Sequence, residues 1–126
     1  MKKYYLFLDD IRMPEDVTWA RMPQVEWTII RNYSEFRNII LNLGIPEFVA
    51  YDHDLADNHY SDSIKGTEIN YTKYIEKTGY DCCQFLLTQC NNKNIKHPPY
   101  IVHSMNPVGA SNIRNIIERY NRTISV

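Results

Sequence analysis

The sequence has no apolar run that approaches the roughly 20 residues needed to cross a bilayer. It also lacks a strong charge of either sign, since 14 basic and 15 acidic residues leave a net charge of −1. A protein with so little net charge has no overall field that would hold it to an extended nucleic-acid duplex or to an anionic membrane. These absences leave a small ligand in a local pocket as an open possibility.

The cysteines lack the paired spacing of a zinc site. Cys82 and Cys83 are adjacent and Cys90 stands alone, so we interpret the three thiols as core residues rather than as redox or zinc ligands. The start at 1–3, Met-Lys-Lys, leads into a segment ending in two aspartates rather than into a secretory signal. Both features predict a cytoplasmic protein in a reducing compartment.

Four apolar segments alternate with helical patterns along the 126 residues, which fit one domain spanning 1–126. The predicted strands are 4–8, 25–31, a third that opens at Pro46, and 100–102, and the predicted helices are capped by Ser34, by Thr78 with Asp81, and by Asn106 with Pro107. Residues 15–24 are expected to form a loop or a short irregular helix. This order predicts an α/β fold with a mostly parallel central sheet of four or five strands.

Two segments are less regular. The polar stretch at 56–77 is too long for an ordinary connection and predicts a loop or lid. Its residues Tyr60, Tyr71 and Tyr74 offer rings that could stack on a base or a ribose. The end of the chain, 123–126, is expected to add a short edge strand or to fray.

Acidic residues follow two of the predicted strands. Asp9 and Asp10 follow the first strand, and Asp52 follows the third. In parallel α/β sheets ligands bind outside the carboxyl ends of the strands, so we expect these carboxylates to lie close together. Like charges that share a site raise each other's pKa unless a cation is present. The pattern predicts a divalent metal site, for Mg²⁺ or Mn²⁺, although either of Asp9 and Asp10 alone could cap a turn or pair with Arg12.

Two histidines stand at predicted strand ends. His53 follows Asp52, and His103 follows the fourth strand. A pair of imidazoles can act as base and acid across a phosphodiester at neutral pH. Each histidine alone would be read as a partly buried residue with satisfied hydrogen bonds. Asp54 is expected to orient a histidine or to complete the metal shell, and the predicted catalytic set is His53, His103, Asp52 and Asp54.

The start of the last helix resembles an anion site. Ser104, Asn106 and Gly109 supply a hydroxyl, an amide and backbone N–H groups near a helix N-terminus, and an ordinary capped helix is the simpler interpretation. Arg12 could contact a phosphate or neutralise the neighbouring acids. We predict these four residues as the phosphate-binding set.

Four blocks in this order resemble the signature of the cyclic-phosphate processing receiver-like domain family. They are Leu6-Phe7-Leu8-Asp9-Asp10-Ile11-Arg12-Met13-Pro14, Tyr51-Asp52-His53-Asp54-Leu55, Thr78-Gly79-Tyr80-Asp81 and Val102-His103-Ser104-Met105-Asn106-Pro107-Val108-Gly109. The resemblance implies a receiver-like, flavodoxin-like three-layer sandwich. It also implies activity on a cyclic phosphate, such as that of an RNA end, a cyclic nucleotide or an ADP-ribose derivative.

The chain departs from ordinary response-regulator receivers. Asp52 resembles the phosphoacceptor and Ser104 the hydroxyl residue, but the receiver lysine after a fifth strand has no clear counterpart. We therefore expect a cyclic phosphodiesterase-type hydrolase acting on a small nucleotide-like substrate. Two alternatives remain: a non-catalytic receiver-like module and a cyclic-nucleotide-binding module.

Overall fold

The computed structural model describes residues 3–55 and 77–124 of the chain. Within them four strands form one sheet, in the order β2-β1-β3-β4 with every pair parallel. The strands are β1 (Tyr5–Leu8), β2 (Trp27–Ile30), β3 (Phe48–Tyr51) and β4 (Tyr100–Val102). A helix follows each of β2, β3 and β4 in the chain: α1 (Tyr33–Leu43), α2 (Gly79–Asn92) and α3 (Pro107–Thr123), respectively. The predicted receiver-like α/β fold is confirmed.

The sheet is buried on both faces, which explains why β1 shows no polar alternation. Leu6 and Leu8 face a core built with the three helices, whereas Phe7 packs on the opposite face. That second face is covered by the segment 13–24, which contains a single 3₁₀ turn, Pro14–Asp16, and contributes Val17 to the core. The expected loop or short irregular helix is therefore confirmed, and it supplies the third layer.

Helix caps follow the local sequence closely. The Thr78 hydroxyl accepts from the Asp81 amide and the Asp81 carboxylate accepts from the Thr78 amide, which confirms the predicted capping box. Asn106 caps α3 as predicted. The prediction of Ser34 as the cap of α1 is wrong, because the Asn32 side chain accepts from the Glu35 amide and the helix begins two residues earlier than expected.

Hydrogen bonds continue the strand ladder one residue past the strand ends. The amide of Asp9 donates to Ile30, that of Asp52 to Leu8 and that of His103 to Tyr51, at 3.2, 3.0 and 2.9 Å. Three main-chain positions are thereby fixed at the carboxyl edge of the sheet. The connections from β1 and β3 leave in opposite directions there, which is where open α/β sheets bind ligands.

Some expectations fall outside the described residues. The predicted loop at 56–77 does so except for Lys77, as do residues 125–126 of the predicted edge strand. Thr123 belongs to α3, so neither the edge strand nor the fraying expected for 123–126 is found at that residue. None of the helices in the described ranges combines the length and the apolar character of a membrane span.

His97 is a buried histidine whose burial no local sequence pattern indicates. Its Nδ1 donates to the Pro98 carbonyl at 2.6 Å, so its Nε2 accepts from the Tyr51 hydroxyl at 2.7 Å. Its amide donates to Asn121 of α3 at 2.9 Å. Burial lowers the pKa of His97 to about 4, although the bond to Pro98 opposes that shift. His97 therefore joins the sheet to α3 as a neutral ring.

We predict a pH-dependent loss of stability from His97. Its folded pKa of about 4 lies below the ordinary value of 6.5, so the unfolded chain binds the proton more tightly. The free energy of unfolding should be highest above pH 6.5 and fall as the pH approaches 4, by an amount on the order of 3 kcal/mol from this residue. Denaturant titrations of the wild type and His97→Gln across this range provide the test. Equal pH slopes in the two proteins would contradict the assignment.

Candidate functional site

Three carboxylates meet at the carboxyl edge of the sheet. Asp9 and Asp10 follow β1, Asp52 follows the neighbouring β3, and one carboxylate oxygen from each lies within 4.8 Å of the others. Asp9 and Asp52 are buried, and Asp10 is half-buried. The structure brings the predicted acidic residues together, as the strand-end argument requires.

Three hydrogen-bond donors and one ion pair hold Asp9. Its Oδ1 accepts from the amides of Ile11 and Arg12 at 3.0 and 2.8 Å. Its Oδ2 accepts from His103 Nε2 at 3.0 Å and lies 3.6 Å from the Arg12 guanidinium. Burial raises the pKa of Asp9, but the hydrogen bonds from His103 and the two amides outweigh burial and hold this pKa well below its usual value. Asp9 is therefore a fixed, ionised carboxylate.

Asp52 is buried beside that charge. Its Oδ1 accepts from the His53 amide at 2.8 Å. Burial, and then the negative charge of Asp9, raise the pKa of Asp52, while His103, the His53 amide and Arg12 act in the opposite direction. A bound cation would offset this repulsion between carboxylates. Oxygen ligands this close together suit Mg²⁺ or Mn²⁺, so the residues present fit a divalent metal.

His103 lies inside the protein. The ring is fully buried and stacks on Phe7, with 4.8 Å between ring centroids and 3° between planes. Because a carboxylate only accepts, Nε2 donates to Asp9. Within the described residues Nδ1 has no hydrogen-bond partner. His103 thus acts on the acidic cluster through Asp9.

His53 leaves the sheet where β3 ends. Its Nδ1 donates to Asp54 Oδ1 at 2.8 Å, and that oxygen also accepts from the Asn106 side chain at 3.3 Å. The ring covers Gly109 of α3, because a Cβ at Gly109 would lie 2.3 Å from His53 Cγ. The His53 side chain is 17% exposed, so it is neither a core residue nor a fully solvated one. With Nδ1 protonated, Nε2 is the basic nitrogen of the ring.

The two histidines contact different layers of the fold. His53 packs on α3, whereas His103 packs on Phe7, which belongs to the opposite face of the sheet. The structure therefore does not bring His53 and His103 together as a facing acid and base. Alternation of side chains about the strand ends accounts for the separation.

The predicted phosphate-binding residues have other partners. The Asn106 side chain accepts from the Gly109 amide at 3.0 Å and donates to Asp54, and the Asn106 amide donates to Ser104 Oγ at 3.1 Å. The Gly109 amide is therefore engaged in capping α3, and its missing side chain makes room for His53. Arg12 neutralises Asp9, which is the simpler of the two roles expected of it. Among the described residues the Ser104 hydroxyl accepts from the Asn106 amide and has no acceptor for its own proton.

Two positioning residues were missed by sequence reasoning. The Gly79 amide donates to the His53 carbonyl at 2.7 Å, and a Cβ at Gly79 would lie 1.8 Å from the Asp52 carbonyl oxygen. A glycine at the first position of a helix was the available signal, since capping alone does not require it. Trp19 donates from Nε1 to the His103 carbonyl at 2.8 Å, a long-range contact that no local sequence pattern indicates.

Comparisons with known proteins agree with this geometry at the level of family. A family model described as Cyclic-phosphate processing Receiver domain matches residues 4–119. The matched range includes every site residue described above. Searches of curated proteins and of solved structures found no match.

We predict that Gly109→Ala destabilises the protein although alanine favours helices. A Cβ at this position would overlap the His53 ring and displace it. Overpacking of this kind costs about 1–3 kcal/mol, against a gain in helix propensity of about 1 kcal/mol. The measurement is a double-mutant cycle of unfolding free energies with Gly109→Ala and His53→Ala. The cost should disappear in the His53→Ala background, and a stabilising Gly109→Ala in the wild-type background would contradict the packing.

Proposed function

Because the chain belongs to the cyclic-phosphate processing receiver domain family, we propose that it hydrolyses a cyclic phosphate of a small nucleotide-like substrate with the help of a divalent cation. The observation that carries the proposal is the cluster of Asp9, Asp10 and Asp52 at the same edge as the paired side chains of His53 and Asp54. Carboxylates suited to a cation and a basic imidazole are the groups that hydrolysis of a phosphodiester needs.

The proposed metal ligands are Asp9, Asp10 and Asp52. A bound Mg²⁺ or Mn²⁺ supplies positive charge to phosphate oxygens as negative charge develops on them. Asp9 contributes a carboxylate that is already oriented by His103 and by two backbone amides. We assign His103 a positioning role, since its ring is fully buried and its Nε2 is engaged with Asp9.

His53 handles the proton in this proposal. Nε2 of His53 accepts a proton from the water whose oxygen bonds to phosphorus, while one cyclic P–O ester bond breaks. The same imidazole then returns the proton to the departing ester oxygen, so the product is a phosphomonoester with a free hydroxyl. Asp54 holds the ring in the required tautomer, and Asn106 holds Asp54. Ser104 and Arg12 are proposed as donors to phosphate oxygens.

The burial of Asp52 beside two acids also suits a second candidate, a receiver-like module in which Asp52 accepts a phosphoryl group. In the described part of the chain the basic side chains that act on Asp9 and Asp52 are Arg12 and His103 rather than a lysine. Phosphorylation of Asp52 would require no role from the hydrogen-bonded pair of His53 and Asp54. Covalent labelling of Asp52 by acetyl phosphate, without turnover of cyclic phosphates, would favour the module over the enzyme.

Metal binding should be visible as a thermal shift. Mg²⁺ or Mn²⁺ should raise the melting temperature of the wild type, because a cation that binds only the folded state stabilises it. Asp52→Asn should raise the melting temperature without metal, since it removes repulsion from Asp9, and should abolish the metal-dependent increase. The control is Glu47→Gln, an exposed acid before β3 at the opposite edge. An unchanged metal response in Asp52→Asn would remove this residue from the site.

The catalytic assignment predicts unequal effects at the two histidines. With a panel of 2′,3′-cyclic, 3′,5′-cyclic and ADP-ribose cyclic phosphates, His53→Gln should lower kcat about 10²–10⁴-fold. His103→Gln retains a donor for Asp9 and should lose much less activity. Chromatographic assays with Mg²⁺, Mn²⁺ or EDTA measure both effects. Equal losses at both positions would support a direct acid–base role for His103, and full activity in EDTA would exclude the metal.

A further inference from the structure

A groove opens beside β4, next to the acidic cluster. Its volume is about 550 Å³, within the usual range of about 300–1,000 Å³ for small-molecule sites. The lining side chains that matter here are Trp19, Tyr100, Ser104 and Arg114. Since Ser104 directly follows His103 at the carboxyl end of β4, the groove begins at the candidate site and extends along this strand.

Trp19 presents an aromatic surface at this groove. The residue is 43% exposed, although its Nε1 donates to the His103 carbonyl at 2.8 Å and so fixes the ring. The Arg12 guanidinium lies 5.1 Å from the ring centroid and 3.6 Å from Asp9, which ties Trp19 to the acidic cluster. An exposed indole held by a hydrogen bond is a preorganised platform for a planar ring, because little conformational freedom remains to be lost on binding.

The other wall of the groove is polar. β4 is the last strand of the sheet, and in the described residues no strand pairs with its outer side. Main chain of Tyr100, Ile101 and Val102 therefore borders the groove. Arg114 donates to the Val102 carbonyl at 3.5 Å and is exposed, so among the described residues most of its N–H groups have no partner. Main-chain groups and a guanidinium can hydrogen-bond the edges of a nucleobase.

We propose that this groove is the nucleobase subsite: the base stacks on Trp19 with its polar edge toward β4 and Arg114. The inference rests on the proposed function, because it places the cyclic phosphate of the same substrate at the acidic cluster. It commits the substrate to a molecule that carries a base, rather than to a sugar cyclic phosphate alone. A peptide strand paired with β4 is the competing occupant.

Binding can be measured without turnover. Trp27→Phe leaves Trp19 as the single tryptophan of the chain, and Trp19→Phe leaves Trp27. Adenosine monophosphate should quench the fluorescence of Trp27→Phe saturably and leave that of Trp19→Phe unchanged. Ribose 5-phosphate should quench neither. Equal quenching by the base-free sugar phosphate, or no quenching by the nucleotide, would overturn the subsite.

Two variants of Trp19 distinguish the contribution of ring stacking to binding from that of the hydrogen bond to the His103 carbonyl. Trp19→Phe keeps an aromatic ring and loses the Nε1 donor, whereas Trp19→Leu loses both. Calorimetry with adenosine monophosphate should show about tenfold weaker binding for Trp19→Leu and a much smaller change for Trp19→Phe. Arg114→Gln should also weaken binding, while Arg119→Gln, on the same helix outside the groove, should not. Equal losses for both Trp19 variants would assign Trp19 an indirect role through His103.

Steady-state kinetics test the nucleobase subsite and the proposed hydrolase activity separately. Trp19→Leu should raise KM about tenfold for adenosine 2′,3′-cyclic phosphate and leave KM for ribose 2,3-cyclic phosphate unchanged. If the wild type hydrolyses both compounds and Trp19→Leu affects neither, the subsite is wrong and the hydrolase stands. If nucleotide binding depends on Trp19 but no cyclic phosphate is hydrolysed, the subsite stands and the hydrolase is wrong.

Discussion

The close approach of two buried carboxylates, Asp9 and Asp52, is the constraint on which the site depends. Parallel pairing of β1 and β3 places them at the same edge, and the ladder bonds of their amides prevent them from moving apart. The surrounding residues compensate this charge. His103, Arg12 and two backbone amides act on Asp9, and Arg31 donates to the main-chain carbonyls of Asp9 and Arg12 at 2.9 and 2.6 Å.

Close packing of α2 and α3 also holds the residues that follow β3 in place. Gly79 lets the start of α2 approach the main chain of Asp52, and Gly109 lets α3 approach the ring of His53. Neither glycine has a positive φ, so space rather than backbone conformation requires them. The starts of both helices therefore position the residues that follow β3. The site therefore does not depend on β3 alone, which is only four residues long.

Strand ends and alternation account for what the sequence predicts well. Asp9, Asp52 and His103 each stand one residue past a strand end, after a residue that faces the helices, so all three turn toward the Phe7 face. The acidic cluster follows from that rule. The burial of His103 does not follow from that rule, because this burial depends on Trp19 and Phe7, which come from distant parts of the chain. The Tyr51–His97 bond likewise depends on a tertiary contact. The Asn32 cap is a local bond to the Glu35 amide, and Asn32 and Ser34 are both residue types that cap helices, so residue type alone does not choose between them.

The central claim is that water opens a cyclic phosphate at this edge, and oxygen-isotope labelling tests it most directly. The protein would be incubated with adenosine 2′,3′-cyclic phosphate and Mn²⁺ in water enriched in ¹⁸O, and the nucleotide analysed by mass spectrometry. The account predicts a monophosphate that carries one solvent oxygen on phosphorus, formed by the wild type and not by His53→Gln. Recovery of the intact cyclic phosphate from the wild type would contradict it.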